Sequence, residues 1–200
     1  VQDTWWMQVI NGMGGKLCAN ASYSGSTTCG STSSGDGRPG VSTRRLQDLT
    51  SSDGTKPDII LVYMGANDLL DNMPIGNNDG SKAVSEGNID NFTDAYTYVL
   101  DKLKIMYPDA TIYCITFQEI CRWDDSGKGY TFKSNTGYVS SQYVDKIKTI
   151  AGKKECTVID VNRGSGIAPI TAQEDTVDGT HPNAQGAKMI ADYILAAIGK

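Results

Sequence analysis

One stretch of the sequence, residues 57–68, constrains the fold more than any other. It contains an unbroken apolar run, residues 59–64, which Pro57 opens and Gly65 closes. An unbroken, partly β-branched run of this length is typical of a strand buried on both faces of a parallel sheet. We therefore expect residues 59–64 to form a central strand of a parallel sheet.

Polar residues follow this strand directly: Gly65 is succeeded by Asn67 and Asp68. In open α/β sheets, ligands bind in the crevice at the carboxyl ends of the strands, so functional side chains are expected here. The other interpretation is an ordinary turn, in which Gly supplies unusual dihedral angles while Asn and Asp bond to nearby main chain. The local sequence leaves both interpretations open.

The rest of the chain alternates between helical and strand patterns. Asp3 or Thr4 is suited to cap a first helix that ends at Gly14. Further helices are predicted for residues 41–49, 91–106, 139–151 and 184–198, and further strands for residues 17–21, 110–117 and 156–160. Alternation of this kind predicts one domain with a parallel sheet between two helix layers, joined by right-handed crossovers.

Three polar stretches, residues 22–40, 71–88 and 118–137, interrupt these elements. Loops of this length inside one domain are usually functional rims. The third contains Trp123, Tyr130 and Phe132, which either form a wall for a substrate or tuck under the loop as a satellite hydrophobic cluster.

The charge and hydropathy of the chain exclude some classes of partner. Lys and Arg total 18 against 23 Asp and Glu, which gives a net charge of -5, and no basic run occurs. Nucleic acid and anionic membrane surfaces are therefore poor partners. The apolar runs are also too short to span a bilayer, so no membrane insertion is predicted.

The cysteines and the single histidine offer little for a metal site. The five cysteines, Cys18, Cys29, Cys114, Cys121 and Cys156, form no CxxC pair. A structural zinc site would lack ligands. Individually packed thiols are favoured, although a bridge from Cys114 to Cys121 or from Cys18 to Cys29 stays open.

The only histidine, His181, lies between the last predicted strand and the last predicted helix, where carboxyl-end loops converge. Asp178 precedes it by three residues, and Pro182 stiffens the turn. An aspartate that accepts from one ring nitrogen fixes the tautomer and leaves the other nitrogen to act as a base. The alternative is that Asp178 and His181 only cap the final helix.

Three segments together resemble a known family. Residues 19–28, 65–68 and 178–183 are similar to blocks two, three and five of the SGNH (GDSL-like) hydrolases, in the family's order. The resemblance implies a flavodoxin-like, three-layer α/β/α sandwich with esterase activity. It also implies a mechanism that needs no metal or organic cofactor.

The resemblance implies a role for four residues. His181 is similar to the family's general base and Asp178 to its orienting partner. Gly25, through its main-chain N–H, and Asn67, through its side-chain amide, are similar to the donors of the oxyanion hole. Fixed neutral donors of this kind stabilise the negative charge that develops on an ester carbonyl during hydrolysis.

The family's first block is an apolar strand that ends in Gly-Asp-Ser and carries the nucleophilic serine. It has no counterpart in this sequence, since no serine precedes Ser22. In the family this strand lies between the two strands that match residues 17–21 and 59–64. Buried main-chain groups left unpaired cost about 1–3 kcal/mol each. We therefore expect an N-terminally incomplete domain, with the nucleophile on a complementing segment upstream of Val1.

Two further hypotheses remain open. In one, Ser22, Ser24 or Ser26 supplies the nucleophile. In the other, the chain is a non-catalytic carbohydrate-binding or interaction domain on an esterase scaffold, with the aromatic residues of 118–137 as stacking surfaces. For an enzyme, the polar loops favour small acyl esters, such as acetyl groups on carbohydrate, over long-chain lipids.

Overall fold

The computed structural model describes residues 4–200, which form alternating helices and strands. The helices are α1 (Trp5–Gly12), α2 (Thr43–Gln47), α3 (Ala66–Leu70), α4 (Phe92–Met106), α5 (Ser140–Lys153), α6 (Val161–Gly164), α7 (Ala172–Asp175) and α8 (Ala184–Ala197). The strands are β1 (Gly30–Ser31), β2 (Ile59–Val62), β3 (Asn88–Ile89), β4 (Thr111–Ile115), β5 (Cys121–Trp123), β6 (Gly129–Thr131) and β7 (Thr157–Ile159). Every predicted helix is present, with its ends shifted by a few residues.

The main sheet is parallel, as predicted, and has the order β2–β4–β7. Ile60 lies opposite Ile112, and Cys114 lies opposite Val158. The connections between these strands contain α4 and α5, because parallel neighbours need a crossover that returns the chain to the same end of the sheet.

Helices cover both faces of this sheet. On one face, Ile60 and Ile112 belong to a hydrophobic core with residues of α4 and α5 such as Leu100 and Ile147. On the other face, a second core joins Ile159 to residues of α1 and α8. The architecture is therefore the three-layer α/β/α sandwich that the resemblance implies.

Helix α4 shows how closely local sequence determines an element. Asn91 caps it, with its side chain accepting a hydrogen bond from the Asp94 N–H at 3.0 Å. The buried side chains of Tyr96, Leu100 and Leu103 recur at helical spacing. Full burial of a large apolar side chain contributes about 1.5–3 kcal/mol to the stability of the fold. This row of side chains is therefore a major part of the core.

The prediction that residues 59–64 form a central strand is wrong for residues 4–200. There β2 pairs only with β4 and is the edge of the sheet, and Ile59 is 38% exposed. The strand predicted for residues 17–21 is also absent: Leu17 is 44% exposed, and the Asn20 side chain accepts a hydrogen bond from the Ser22 N–H at 2.9 Å. Local polar bonding there replaces the ladder that a strand would need.

The loop at residues 118–137 is more ordered than its composition indicates. It contains an antiparallel hairpin in which β5 pairs with β6.

All five cysteines are free thiols, so neither of the two disulfides left open by the sequence is formed. No helix within residues 4–200 has both the length and the apolar character needed to cross a membrane.

Candidate active site

The turn that contains His181 connects α7 to α8 at the carboxyl end of the sheet. Helix α8 is capped by Asn183, whose side chain accepts from the main-chain N–H groups of Gln185 at 3.0 Å and Gly186 at 3.1 Å. The hypothesis that Asp178 and His181 serve only as caps is therefore wrong.

Asp178 and His181 form a closely bonded pair. The Oδ2 atom of Asp178 lies 2.8 Å from Nδ1 of His181. Its Oδ1 atom accepts from the main-chain N–H groups of Thr180 at 2.9 Å and His181 at 2.8 Å. With Nδ1–H donating to the carboxylate, the opposite ring nitrogen, Nε2, presents a lone pair. Nε2 has no hydrogen bond to any residue within 4–200, so it is available to accept a proton.

Hydrogen bonds from the residues after β4 and in β5 hold this turn in place. The Cys121 N–H donates to the Gly179 carbonyl at 2.8 Å. Arg122 Nη1 donates to Thr180 Oγ1 at 2.9 Å, and Gln118 Nε2 donates to the Thr180 carbonyl. Gly179 is required here, because its φ is +80° and a Cβ atom would lie 2.0 Å from the Cys121 carbonyl oxygen. The imidazole is therefore carried by a fixed turn.

The hydrogen bonds to Asp178 set its protonation. Partial burial alone would raise its pKa, but the main-chain N–H groups of His181 and Thr180 and the imidazole together lower the pKa of Asp178 to about 2. The carboxylate thus stays ionised throughout the neutral range. Any increase in activity with pH above about pH 4 must then come from a group other than Asp178.

This lowered pKa gives a testable dependence of stability on pH. Because the folded-state pKa lies below the ordinary value of about 3.9, Asp178 stabilises the fold above about pH 4 and loses that contribution as pH falls toward about 2. We expect the difference in free energy of unfolding between wild type and Asp178→Asn to be constant above about pH 5 and to shrink below about pH 4. Urea unfolding across this range measures it, and a difference that does not change with pH would contradict the assignment.

Asn67 lies in the first turn of α3, just after the sharp turn at Gly65. The Gly65 φ of +110° is in the region that favours glycine, and a Cβ atom there would lie 3.0 Å from the Phe117 ring. The Asn67 Nδ2 atom donates to the Ser26 carbonyl at 3.0 Å. Asn67 and the segment around Gly25 are therefore adjacent, as an oxyanion hole requires.

Asp68 joins this segment to α3 from within the core. It is fully buried, and its Oδ2 atom accepts from the Thr28 N–H and the Thr28 hydroxyl, both at 2.8 Å. Burial raises the pKa of Asp68, and its hydrogen bonds with Thr28 and Cys29 oppose that shift. The sequence predicted that Asp68 lies at the site but assigned it no role. In the structure, Asp68 anchors the part of the chain that follows Gly25.

Arg45 holds the same segment from the other side. Its Nε donates to the Ala21 carbonyl at 2.8 Å, and its Nη1 donates to Ser26 Oγ at 2.9 Å. The guanidinium also lies 5.2 Å from the centre of the Tyr23 ring. Sequence reasoning missed Arg45, since nothing in its local pattern connects it with Ala21 and Ser26, which lie 24 and 19 positions earlier.

Gly25 is exposed and lies at the tip of this segment. Its φ of +68° is in the left-handed region, and no heavy atom lies within 4 Å of the position of a Cβ. Its main-chain N–H donates to no residue within 4–200. Gly25 is therefore free to donate to a substrate, although it does not line the groove described next.

A groove of about 1160 Å³ runs along β2 and ends at the turn of His181. Asn67, Ser26, Gln118 and His181 all line it. The structure thus brings the predicted base and one predicted oxyanion donor to the same groove. Ser22 also lines it, but neither Ser22, Ser24 nor Ser26 bonds to His181, and Ser26 Oγ accepts from Arg45 instead.

The three aromatic residues predicted as a substrate wall lie outside this groove. Phe132 packs against the main core and stacks with the Arg122 guanidinium at 4.8 Å. Tyr130 is 52% exposed, and Trp123 is half-buried.

The part of the chain that the structure describes also contains no group of three or more His, Cys, Asp or Glu side chains placed to hold a metal ion.

Comparisons with known proteins identify the family and agree with the fold. The model of the GDSL-like Lipase/Acylhydrolase family matches residues 1–160. A structure from Bacteroides uniformis described as a GDSL-like lipase is 27% identical, with 99% of this chain and 76% of that one covered and a TM-score of 0.69. A protein of Lactobacillus plantarum is 23% identical, with 98% and 86% covered and a TM-score of 0.74. No curated protein sequence matches the chain.

Proposed function

Because the chain belongs to the GDSL-like lipase/acylhydrolase family, we propose that it forms an SGNH-type hydrolase domain that cleaves carboxylic esters with a serine nucleophile. In this proposal His181 is the general base and Asp178 orients it. Asn67 and Gly25 donate to the oxyanion. The observation that carries the proposal is the Asp178–His181 pair, because His181 lines the groove that Asn67 also lines.

The chemistry follows from these positions. The serine oxygen attacks the ester carbonyl carbon while its proton passes to Nε2 of His181. The carbonyl electron pair moves onto oxygen, where the Asn67 amide and the Gly25 N–H stabilise it. Collapse of this intermediate breaks the ester bond, and His181 returns the proton to the leaving alcohol. Water then hydrolyses the acyl-enzyme by the same steps, and Asp178 stabilises the imidazolium each time it forms.

The nucleophilic serine is proposed to lie on a segment upstream of Val1. Two observations support this placement. No hydroxyl within residues 4–200 bonds to Nε2 of His181, and the three candidate serines of residues 22–26 have other contacts or none. The family resemblance implies a serine at the end of an apolar strand that precedes the helix matching α1.

The proposed substrates are small acyl esters, including acetyl groups on carbohydrate. The residues that line the groove include the polar side chains of Gln118, Ser22 and Asn20, which suit a hydroxyl-rich alcohol better than an acyl chain. We expect kcat/KM for 4-nitrophenyl acetate to exceed that for the octanoate by roughly tenfold or more. Faster cleavage of the octanoate would contradict the small-acyl proposal.

A non-catalytic carbohydrate-binding domain is the alternative, and the exposed ring of Tyr130 is the observation that favours it. Titration of neutral oligosaccharides against tryptophan fluorescence distinguishes the two functions. Saturable binding together with the absence of ester turnover would support the alternative, whereas turnover that depends on His181 would exclude it.

A further inference from the structure

The hairpin of β5 and β6 presents two side chains on one face, beside the turn that carries His181. Arg122 lies directly opposite Tyr130 in this antiparallel pair, and directly opposite residues project their side chains to the same face. Tyr130 is 52% exposed. The hairpin packs closely on the chain before α7, since the Pro169 carbonyl leaves no room for a side chain at Gly129. This face is therefore a fixed surface.

Arg122 is held in place and still has donors to offer. Its Nη1 atom donates to the Cys121 carbonyl at 2.6 Å, to Thr180 Oγ1 at 2.9 Å and to the Asp178 carbonyl at 3.3 Å. The guanidinium also stacks on the Phe132 ring. Its Nε and Nη2 atoms donate to no residue in the part of the chain that the structure describes. These two atoms form one edge of the guanidinium, whose parallel N–H groups match the two oxygens of a carboxylate.

No carboxylate within the described residues pairs with the charge of Arg122. None of the ion pairs found there includes it. Asp124 lies two positions further along the hairpin, but its Oδ1 atom accepts from the N–H groups of Ser126 at 2.9 Å and Lys128 at 3.0 Å. Asp178 contacts Arg122 through its main-chain carbonyl, and both of its carboxylate oxygens bond within their own turn. The free edge of Arg122 is therefore open to an external anion.

An exposed ring beside a free guanidinium edge favours a sugar that carries a carboxylate. The Tyr130 ring offers an apolar face and a polar hydroxyl, which suit the C–H face and the hydroxyl groups of a sugar. The Arg122 edge offers two charge-assisted hydrogen bonds, which a planar carboxylate accepts in parallel. A singly charged carboxylate also suits one unpaired cation on a chain of net charge -5 better than a phosphate dianion does.

We propose that Arg122 and Tyr130 form a subsite for an acidic sugar, a uronate, next to the sugar whose ester is cleaved. The contacts of Arg122 with Asp178 and Thr180 place it beside His181, so a bound uronate lies at the edge of the reaction centre. Binding of the acidic sugar is independent of the proposed function. The further step, in which the substrates are acetyl esters of acidic carbohydrate, rests on the proposed function.

Binding is tested with methyl glucuronoside and methyl glucoside, which differ only in that the first carries a carboxylate in place of a hydroxymethyl group. Heteronuclear NMR follows the Arg122 Nε–H directly. We expect the glucuronoside to shift this resonance saturably, with a Kd lower than that of the glucoside by about tenfold or more. Arg122→Gln should abolish the difference. Lys133→Gln is the matched control, because it removes one positive charge at an exposed position of the same loop, and it should bind both glycosides as wild type does.

Hydrolysis is measured with the mono-acetyl esters of the same two glycosides. The ratio of their kcat/KM values isolates recognition of the carboxylate, because a displaced His181 would lower both values together. We expect this ratio to favour the glucuronoside by about tenfold or more in wild type and to fall to near one in Arg122→Gln. Tyr130→Ala should weaken binding of both glycosides, since it removes the ring on which either sugar packs.

Three results of the binding experiment would overturn the subsite: equal binding of the two glycosides, a preference that survives in Arg122→Gln, or a preference that is lost in Lys133→Gln. Preferential binding with equal hydrolysis of the two esters would overturn the place of the acidic sugar in the substrate. Preferential binding with no hydrolysis of either ester would support the subsite and contradict the proposed function.

Discussion

Replacement of His181 by alanine is expected to lower kcat for ester hydrolysis by about 10⁴-fold or more. The chain contains no second histidine to accept the serine proton. The His181 side chain is also exposed and, among residues 4–200, bonds only to Asp178, so the fold should be retained. The measurement is steady-state hydrolysis of 4-nitrophenyl acetate by protein purified under native conditions, together with thermal unfolding.

Val177→Ala is the matched control for this variant, because Val177 is 71% exposed in the same turn and carries no group that transfers protons. It should retain nearly full activity. If His181→Ala kept more than about a tenth of wild-type kcat, when loss of a catalytic base normally costs several orders of magnitude, His181 would not be the general base.

Replacement of Asn67 by alanine is expected to lower kcat by about 10²–10³-fold, equivalent to about 3–4 kcal/mol of transition-state stabilisation. The donor is needed only when charge develops on the carbonyl oxygen, so KM should change little. The hydrogen bond from Nδ2 to the Ser26 carbonyl would also be lost. Unfolding must therefore be measured beside kcat and KM.

Asn77→Ala is the control here, since Asn77 is an exposed asparagine outside the groove. Its kinetics should match those of wild type. A rise in KM with unchanged kcat for Asn67→Ala would show that Asn67 binds the substrate in its ground state, and the oxyanion role would be wrong.

The sequence predicted features that depend on short-range patterns. The helical spacing of the apolar residues in α4, together with Asn91, located that helix within one residue of its observed start. The spacing of three residues between Asp178 and His181 likewise corresponds to the 2.8 Å contact between their side chains. Both depend on neighbours a few positions away, so a local pattern is sufficient.

Features that depend on distant parts of the chain could not be predicted. The position of β2 at the edge of the sheet depends on which strands pair with it, and the apolar character of residues 59–64 alone does not decide this. Gln118 holds the turn of His181 from 62 positions away, and Asp68 anchors Thr28 from 40. Such contacts form only in the folded protein, and no periodic pattern in the sequence predicts them.

The proposed role of His181 is to activate a serine that lies outside residues 4–200. Intact mass and peptide mapping, after a fluorophosphonate reacts with protein purified under native conditions, test this role most directly. We expect one adduct on a serine outside residues 4–200, and its loss in His181→Ala. An adduct on Ser22, Ser24 or Ser26, labelling that persists without His181, or no adduct on folded, ester-cleaving protein would contradict it.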